Sequence, residues 1–177
     1  MQILNTRSQF GIVSKILHWF MAFLIIGMLI IGFYMSSLPL GTIKLKLYGW
    51  HKEFGILVLF LVLVRLLWRI KNVDPELNIY WLERLAARSM HWALYILMFA
   101  MPLTGWLLTS AAGLAPSFFG LFSLPLLISP DRDKMMVLGI VHEWLAYGLI
   151  AALCIHTAAA LKHHFIDKDD ILRRMWR

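Results

Sequence analysis

The chain has 177 residues, 60% hydrophobic and 15% charged, with a mean hydropathy of +0.72. A soluble domain is nearer half apolar and a quarter charged, so this composition excludes an ordinary water-soluble fold and indicates a single membrane domain over residues 1–177. The net charge of +7 then reads as basic loops beside a bilayer rather than as a nucleic-acid surface.

Four apolar stretches follow in chain order. The first, about 16–38, starts after Lys15 and leaves through a Ser-Ser-Leu-Pro exit. No A-x-A-like cleavage site follows it, so it is expected to be retained. The second, about 50–68, has a short charge-free centre, with Arg65 and Arg69 near its end placed to snorkel. The third, about 86–110, contains Pro102 and Gly105, which should bend it. Residues 111–130 are apolar but broken by three prolines and read as a loop on the membrane surface. The fourth stretch runs from about 135 to 163. Each is read as crossing a hydrocarbon core that needs about 20 residues. The expected fold is therefore all-α, an integral membrane four-helix transmembrane bundle. Trp19, Trp50, Trp68, Trp81 and Trp92 lie near the ends of these runs, as an interfacial belt requires.

Basic residues orient the chain. Twelve, including Arg7, Lys15, Lys162, Arg173 and Arg177, fall with the two termini and the connection between the second and third spans. Five, Lys44, Lys46, Lys52, Arg132 and Lys134, fall on the other side. The positive-inside rule then places both termini in the cytoplasm. Cys154 stands alone inside the last stretch, which rules out cysteine-paired zinc and iron–sulfur sites, and it reads as a small buried residue.

The histidines carry the chemistry. His142 and His156 are fourteen residues apart on the fourth span, close to four turns, so they share a face about 21 Å apart along the axis. In the expected topology His18 lies at the depth of His156, and His51 at the depth of His142. Span order and charge alone produce these pairs. Polar residues inside a bilayer are costly and default to function. Two histidines per depth make a poor zinc site, which wants three or four ligands. Glu143, the carboxylate well inside a span, points about 100° away from His142. With no CxxCH motif, the natural candidate is a pair of non-covalently held haems. Gly55, Gly148, Ala151, Ala152 and the alanines at 158–160 would leave room for a porphyrin.

The segments KILHWF, HKEFGILVLFLVLVRLLWR, MHWALYILMFAMPLTG and VHEWLAYGLIAALCIHTAAALKHH, with the tail DKDDILRRM, resemble the bacterial di-haem cytochrome b-561 family. That family is related to the cytochrome b subunits of membrane hydrogenases and formate dehydrogenases. The resemblance implies two haems b with axial ligands His18 and His156 to the inner iron, and His51 and His142 to the outer. It also implies transfer of electrons from superoxide, or another periplasmic donor, to ubiquinone in the bacterial inner membrane. The alternative is an electron-transfer and anchoring subunit of a hydrogenase- or dehydrogenase-type complex, docked through the loop at 111–134.

Other residues take supporting roles in this reading. Arg65 and Arg69 share a helix face and would hold propionates of the inner haem. His163, two turns beyond His156, and His91, at the depth of His18, would surround a quinone or the inner haem. His164 faces elsewhere. Lys44, Lys46 and Lys52 cluster near His51 and would steer an anion such as superoxide.

Overall fold

The computed structural model describes residues 2–76 and 79–176; Arg177, counted above among the basic residues, lies outside them. Long apolar runs give long helices: α1 (Ile12–Ser37), α2 (Thr42–Lys71), α3 (Trp81–Ala111) and α4 (Arg132–Lys162). A one-turn π-helix (His163–Asp167) and the short α5 (Ile171–Trp176) follow. The helices alternate in direction, and their backbones pack in the order α1, α2, α3, α4. The backbones of α1 and α4 have at most slight contact, and Phe33 of α1 reaches Tyr147 of α4 with ring centres 5.6 Å apart.

Among the described residues three helices, α1, α3 and α4 with its π-turn, are long and apolar enough to cross a membrane. This overturns the expected four-helix transmembrane bundle. The chain is an all-α, multi-span membrane protein with three helices that qualify as spans, and α2 does not. The reason is composition. The charge-free run of α2, residues 54–64, follows Lys52 and Glu53 and precedes Arg65, Arg69 and Lys71. Those eleven residues make about 16 Å of helix, half of a hydrocarbon core. Instead α2 is held by neighbours, packed between α1 and α3, and its arginines find partners inside the bundle.

A core of Met21, Ile25, Val58, Val62, Leu94, Met98, Leu149 and Ala152 occupies the middle of the bundle. Large apolar side chains point outward, with Phe23 69% and Trp144 70% exposed. Contiguous exposure of this kind belongs against lipid rather than water. Cys154 is also exposed, a correction to its expected burial. α3 continues through Pro102, which removes one helical hydrogen bond. Two residues on, the Thr104 hydroxyl donates to the Met101 carbonyl at 2.8 Å.

The ends of the bundle differ. At one, the α3–α4 connection folds into a small hairpin, β1 (Ser117–Phe118) against β2 (Phe122–Ser123), with Phe119 packed on Phe54 of α2. Ser110, fully buried, receives a hydrogen bond from Leu127 N at 3.1 Å and holds this connection down. Asp131 starts α4 by accepting from the backbone of Asp133 and Lys134. At the other end three distant segments are stapled together. Asn5 donates to the Val73 carbonyl, Trp19 Nε1 donates to the Met175 carbonyl, and Arg174 donates to the Glu76 carbonyl. We call these the hairpin end and the terminal end.

Candidate functional site: two histidine pairs

A spacing of fourteen residues recurs on all four long helices: 18 and 32, 51 and 65, 91 and 105, 142 and 156. Four turns return each second residue to nearly the same face. Each helix therefore places one member in a layer at the hairpin end and the other in a layer at the terminal end. The hairpin layer is Gly32, His51, Gly105 and His142. The terminal layer is His18, Arg65, His91 and His156.

In the hairpin layer the rings of His51 and His142 have centroids 6.3 Å apart. Both glycines are close neighbours. A Cβ on Gly32 would stand 3.2 Å from His51 Cε1, and one on Gly105 would stand 3.2 Å from His142 Cε1. His142 Nδ1 lies 3.0 Å from the Thr104 hydroxyl. That hydroxyl's single proton goes to the Met101 carbonyl, so it accepts from His142. Nδ1 thus carries the ring proton and Nε2 is left bare. His51 Nδ1 is buried with no hydrogen-bond partner.

In the terminal layer His18 and His156 are also 6.3 Å apart, and His91 is 5.7 Å from His156. Arg65 Nη2 donates to His18 Nδ1 at 2.8 Å, and both Arg65 and Arg69 lie over the Tyr95 ring. A guanidinium only donates, so His18 accepts here and carries its proton on Nε2. Ligation through that nitrogen requires the proton to move and Arg65 to turn to another acceptor.

The pairs fit a planar metal macrocycle. An imidazole nitrogen binds a first-row metal at about 2 Å, and the ring centre lies roughly 1.1 Å behind it, so two histidines sharing one metal would have ring centres at most about 6 Å apart. Among the described residues, neither pair belongs to a group of three protein ligands close enough to share an ion. Among the described residues, Glu83, His163 and Asp167 form the group close enough to share an ion. The Lys162 ammonium already sits 3.1 Å from Glu83 and 2.7 Å from Asp167, which makes that group an ion-pair network. A two-histidine site needs the rest of its coordination from a cofactor. Gly32 and Gly105 leave room beside the rings, and the unpaired nitrogen of His51 is a donor without a protein partner.

Several residues expected to matter are placed differently from one another. His163 Nδ1 is engaged by Asp169 at 2.7 Å and by Asp167 at 3.2 Å. His164 Nδ1 is buried without a partner. Lys44 donates to the Leu38 carbonyl just past the end of α1, and Lys46 lies over Trp50, so these two ammoniums diverge. Glu143 accepts from the Tyr147 hydroxyl. Of the small residues, Ala152 is buried, but Ala151, Ala158 and Ala159 face outward. Gly55 faces Met28, and Gly148 faces Leu97. Sequence reasoning missed Gly32 and Thr104 and took Gly105 only for a helix-bending residue. The fourteen-residue spacing, extended from α4 to the other helices, would have found both glycines.

Residues 9–177 match the model of the family described as prokaryotic cytochrome b561. The chain is 37% identical to cytochrome b561 homolog 2 of Escherichia coli (strain K12), over 99% of this chain and 95% of that protein. It is 33% identical to cytochrome b561 homolog 1 of the same organism, over 95% and 97%. A protein of Yersinia pestis described as probable superoxide oxidase CybB is 29% identical, over 71% and 72%.

Proposed function

The chain belongs to the prokaryotic cytochrome b561 family, and on that premise we propose that this membrane-embedded redox protein holds two haems b and carries electrons from superoxide to ubiquinone. The observation that carries the reading is the double one: two histidine pairs, each with ring centroids 6.3 Å apart. His51 and His142 would hold one haem, and His18 and His156 the other. Bound haem supplies one-electron exchange at iron.

The chain's own residues supply the rest. Thr104 fixes the His142 ring with its bare nitrogen available, the arrangement a metal-ligating histidine needs. Arg65 brings positive charge to the terminal layer, suited to haem carboxylates once it leaves His18, while Arg69 is paired with Asp74 on the α2–α3 side. His91 completes that layer beside the cofactor or a quinone. The pairs lie about 21 Å apart along the bundle, with a packed apolar core between them that keeps water out.

The terminal end, with its excess of lysine and arginine, would face the cytoplasm of a bacterial inner membrane. Superoxide would then arrive at the hairpin end, where Lys46 and Lys52 lie near His51. Two superoxide anions would each lose one electron and leave as dioxygen. At the terminal end ubiquinone would gain those two electrons and two protons to become ubiquinol. His163, whose Nδ1 is held by Asp169, is the proton donor we assign to that step. Likeness to the protein described as a probable superoxide oxidase supports this choice of donor.

The test has two stages. A pyridine haemochrome assay should return two haems b per chain, and one or none ends the reading. Rapid mixing with superoxide should then reduce both centres, and added ubiquinone should reoxidise them. Reduction absent with superoxide but present with a purified dehydrogenase would make the protein an anchoring subunit instead.

A further inference from the structure

The groove between α2 and α3 at the terminal end belongs to neither histidine pair. Leu66, Arg69 and Ile70 line it from α2, and Arg88, Trp92 and Tyr95 from α3, around a cavity of about 380 Å³. Spacings of three, four and seven residues make these a single face on each helix. Ile70 is 69% exposed and Trp92 60%, and the apolar surface continues along α3 to Ile96. Apolar walls that open outward on a membrane protein face acyl chains, not water.

The charged groups set the polarity of the ligand. Arg69 is bonded to Asp74 at 3.0 Å, the one carboxylate lining the groove, and its guanidinium also lies over Tyr95. Arg88 is exposed and, among the described residues, has no ion pair or hydrogen bond. Two guanidiniums against one carboxylate leave a net positive charge at the outer end of an apolar cleft, with Trp92 one turn deeper. Arginine takes phosphate oxygens bidentately, and basic pockets between helices at the membrane surface suit anionic headgroups.

We infer that this groove is a binding site for one anionic phospholipid, with its phosphate on Arg88 and Arg69 and its chains along Leu66, Trp92 and Ile96. The inference does not depend on haem, so it stands or falls apart from the proposed function.

Delipidated protein in neutral detergent, titrated by native mass spectrometry, provides the test. The probes are phosphatidylglycerol, phosphatidylcholine with the same chains, and inorganic phosphate. Wild type should take one phosphatidylglycerol in preference to phosphatidylcholine. Arg88→Gln should weaken that binding about fivefold, the effect of one basic residue near a lipid surface. Asp74→Asn should strengthen it. Arg132→Gln, an exposed arginine at the hairpin end, should leave it unchanged. Equal affinity for the two lipids overturns the site, as does equal loss in Arg132→Gln. Competition by inorganic phosphate at the lipid's own concentration would mean a free-anion site and also overturns it. So would a loss of haem on Arg88→Gln with lipid binding intact, which would assign the arginine to the prosthetic group.

Discussion

The two histidine layers are built on the same fourteen-residue spacing and contain the same central pair, yet their flanking residues are opposites. At the hairpin end the flanks are Gly32 and Gly105, each tight against a histidine ring. At the terminal end they are Arg65 and His91, both polar and both close to the pair. The first layer makes space and fixes one tautomer through Thr104. The second fills its flanks with hydrogen-bonding and charged groups and holds His18 in the tautomer that ligation would have to change. Equal ring distances therefore do not mean equal sites. We expect the hairpin site to be governed by shape and the terminal site by charge.

The largest effect should come from the histidines of α4, which serves both layers. His142→Ala should halve the haem content by emptying the hairpin site, and His156→Ala should do the same at the terminal site. Redox titration of each variant should show one surviving transition, with the two survivors at different potentials. Identical survivors would erase the distinction between the ends.

Next come the flanks. Gly105→Val puts a branched side chain where even a Cβ would stand 3.2 Å from the His142 ring. The hairpin haem should be lost while the terminal one is kept, read as haem per chain. Arg65→Met should keep both haems but lower the terminal potential by about 100–200 mV, as loss of a cation a few ångströms away requires at an effective dielectric of about 20. A potential shift at the hairpin haem instead would reverse the comparison.

Thr104→Val is milder. It leaves His142 Nδ1 without its acceptor, and losing the group that holds a metal-binding ring costs about 10–100-fold in metal affinity. Haem release to apomyoglobin should quicken from the hairpin site alone. Smallest is the triple change Lys44/Lys46/Lys52→Gln. It should slow superoxide-driven reduction a few-fold at low salt and hardly at all at high salt, because screening acts within about 8 Å at physiological ionic strength. Lys44 contributes least, since its ammonium is spent on carbonyls of α1 and its exit.

The meetings of His18 with His156 and of His51 with His142 could be read from spacing and span order, because helical geometry is rigid over four turns. The number of membrane spans could not. α2 carries charges whose partners, His18, Tyr95 and Asp74, lie 5 to 47 residues away in sequence, so its membership of the bundle depends on neighbours rather than composition. The same limit hid the His163–Asp169 bond, which requires the π-turn and the left-handed Lys168 that follows it. Cys154 and the alanines of α4 misled because a helix of uniform apolarity has no sequence mark for which face meets lipid.

The placement of α4 has a consequence for how the molecule is made. This helix contributes one histidine to each pair, and it is the last long helix synthesised. Neither pair exists while the ribosome is still producing α1, α2 and α3, so the first three helices must find one another without any metal to organise them. The hairpin pair becomes available as α4 begins and the terminal pair as it ends. Under the proposed function haem capture would follow that order, and the Trp19–Met175 contact can close only after the residues of both pairs have been synthesised.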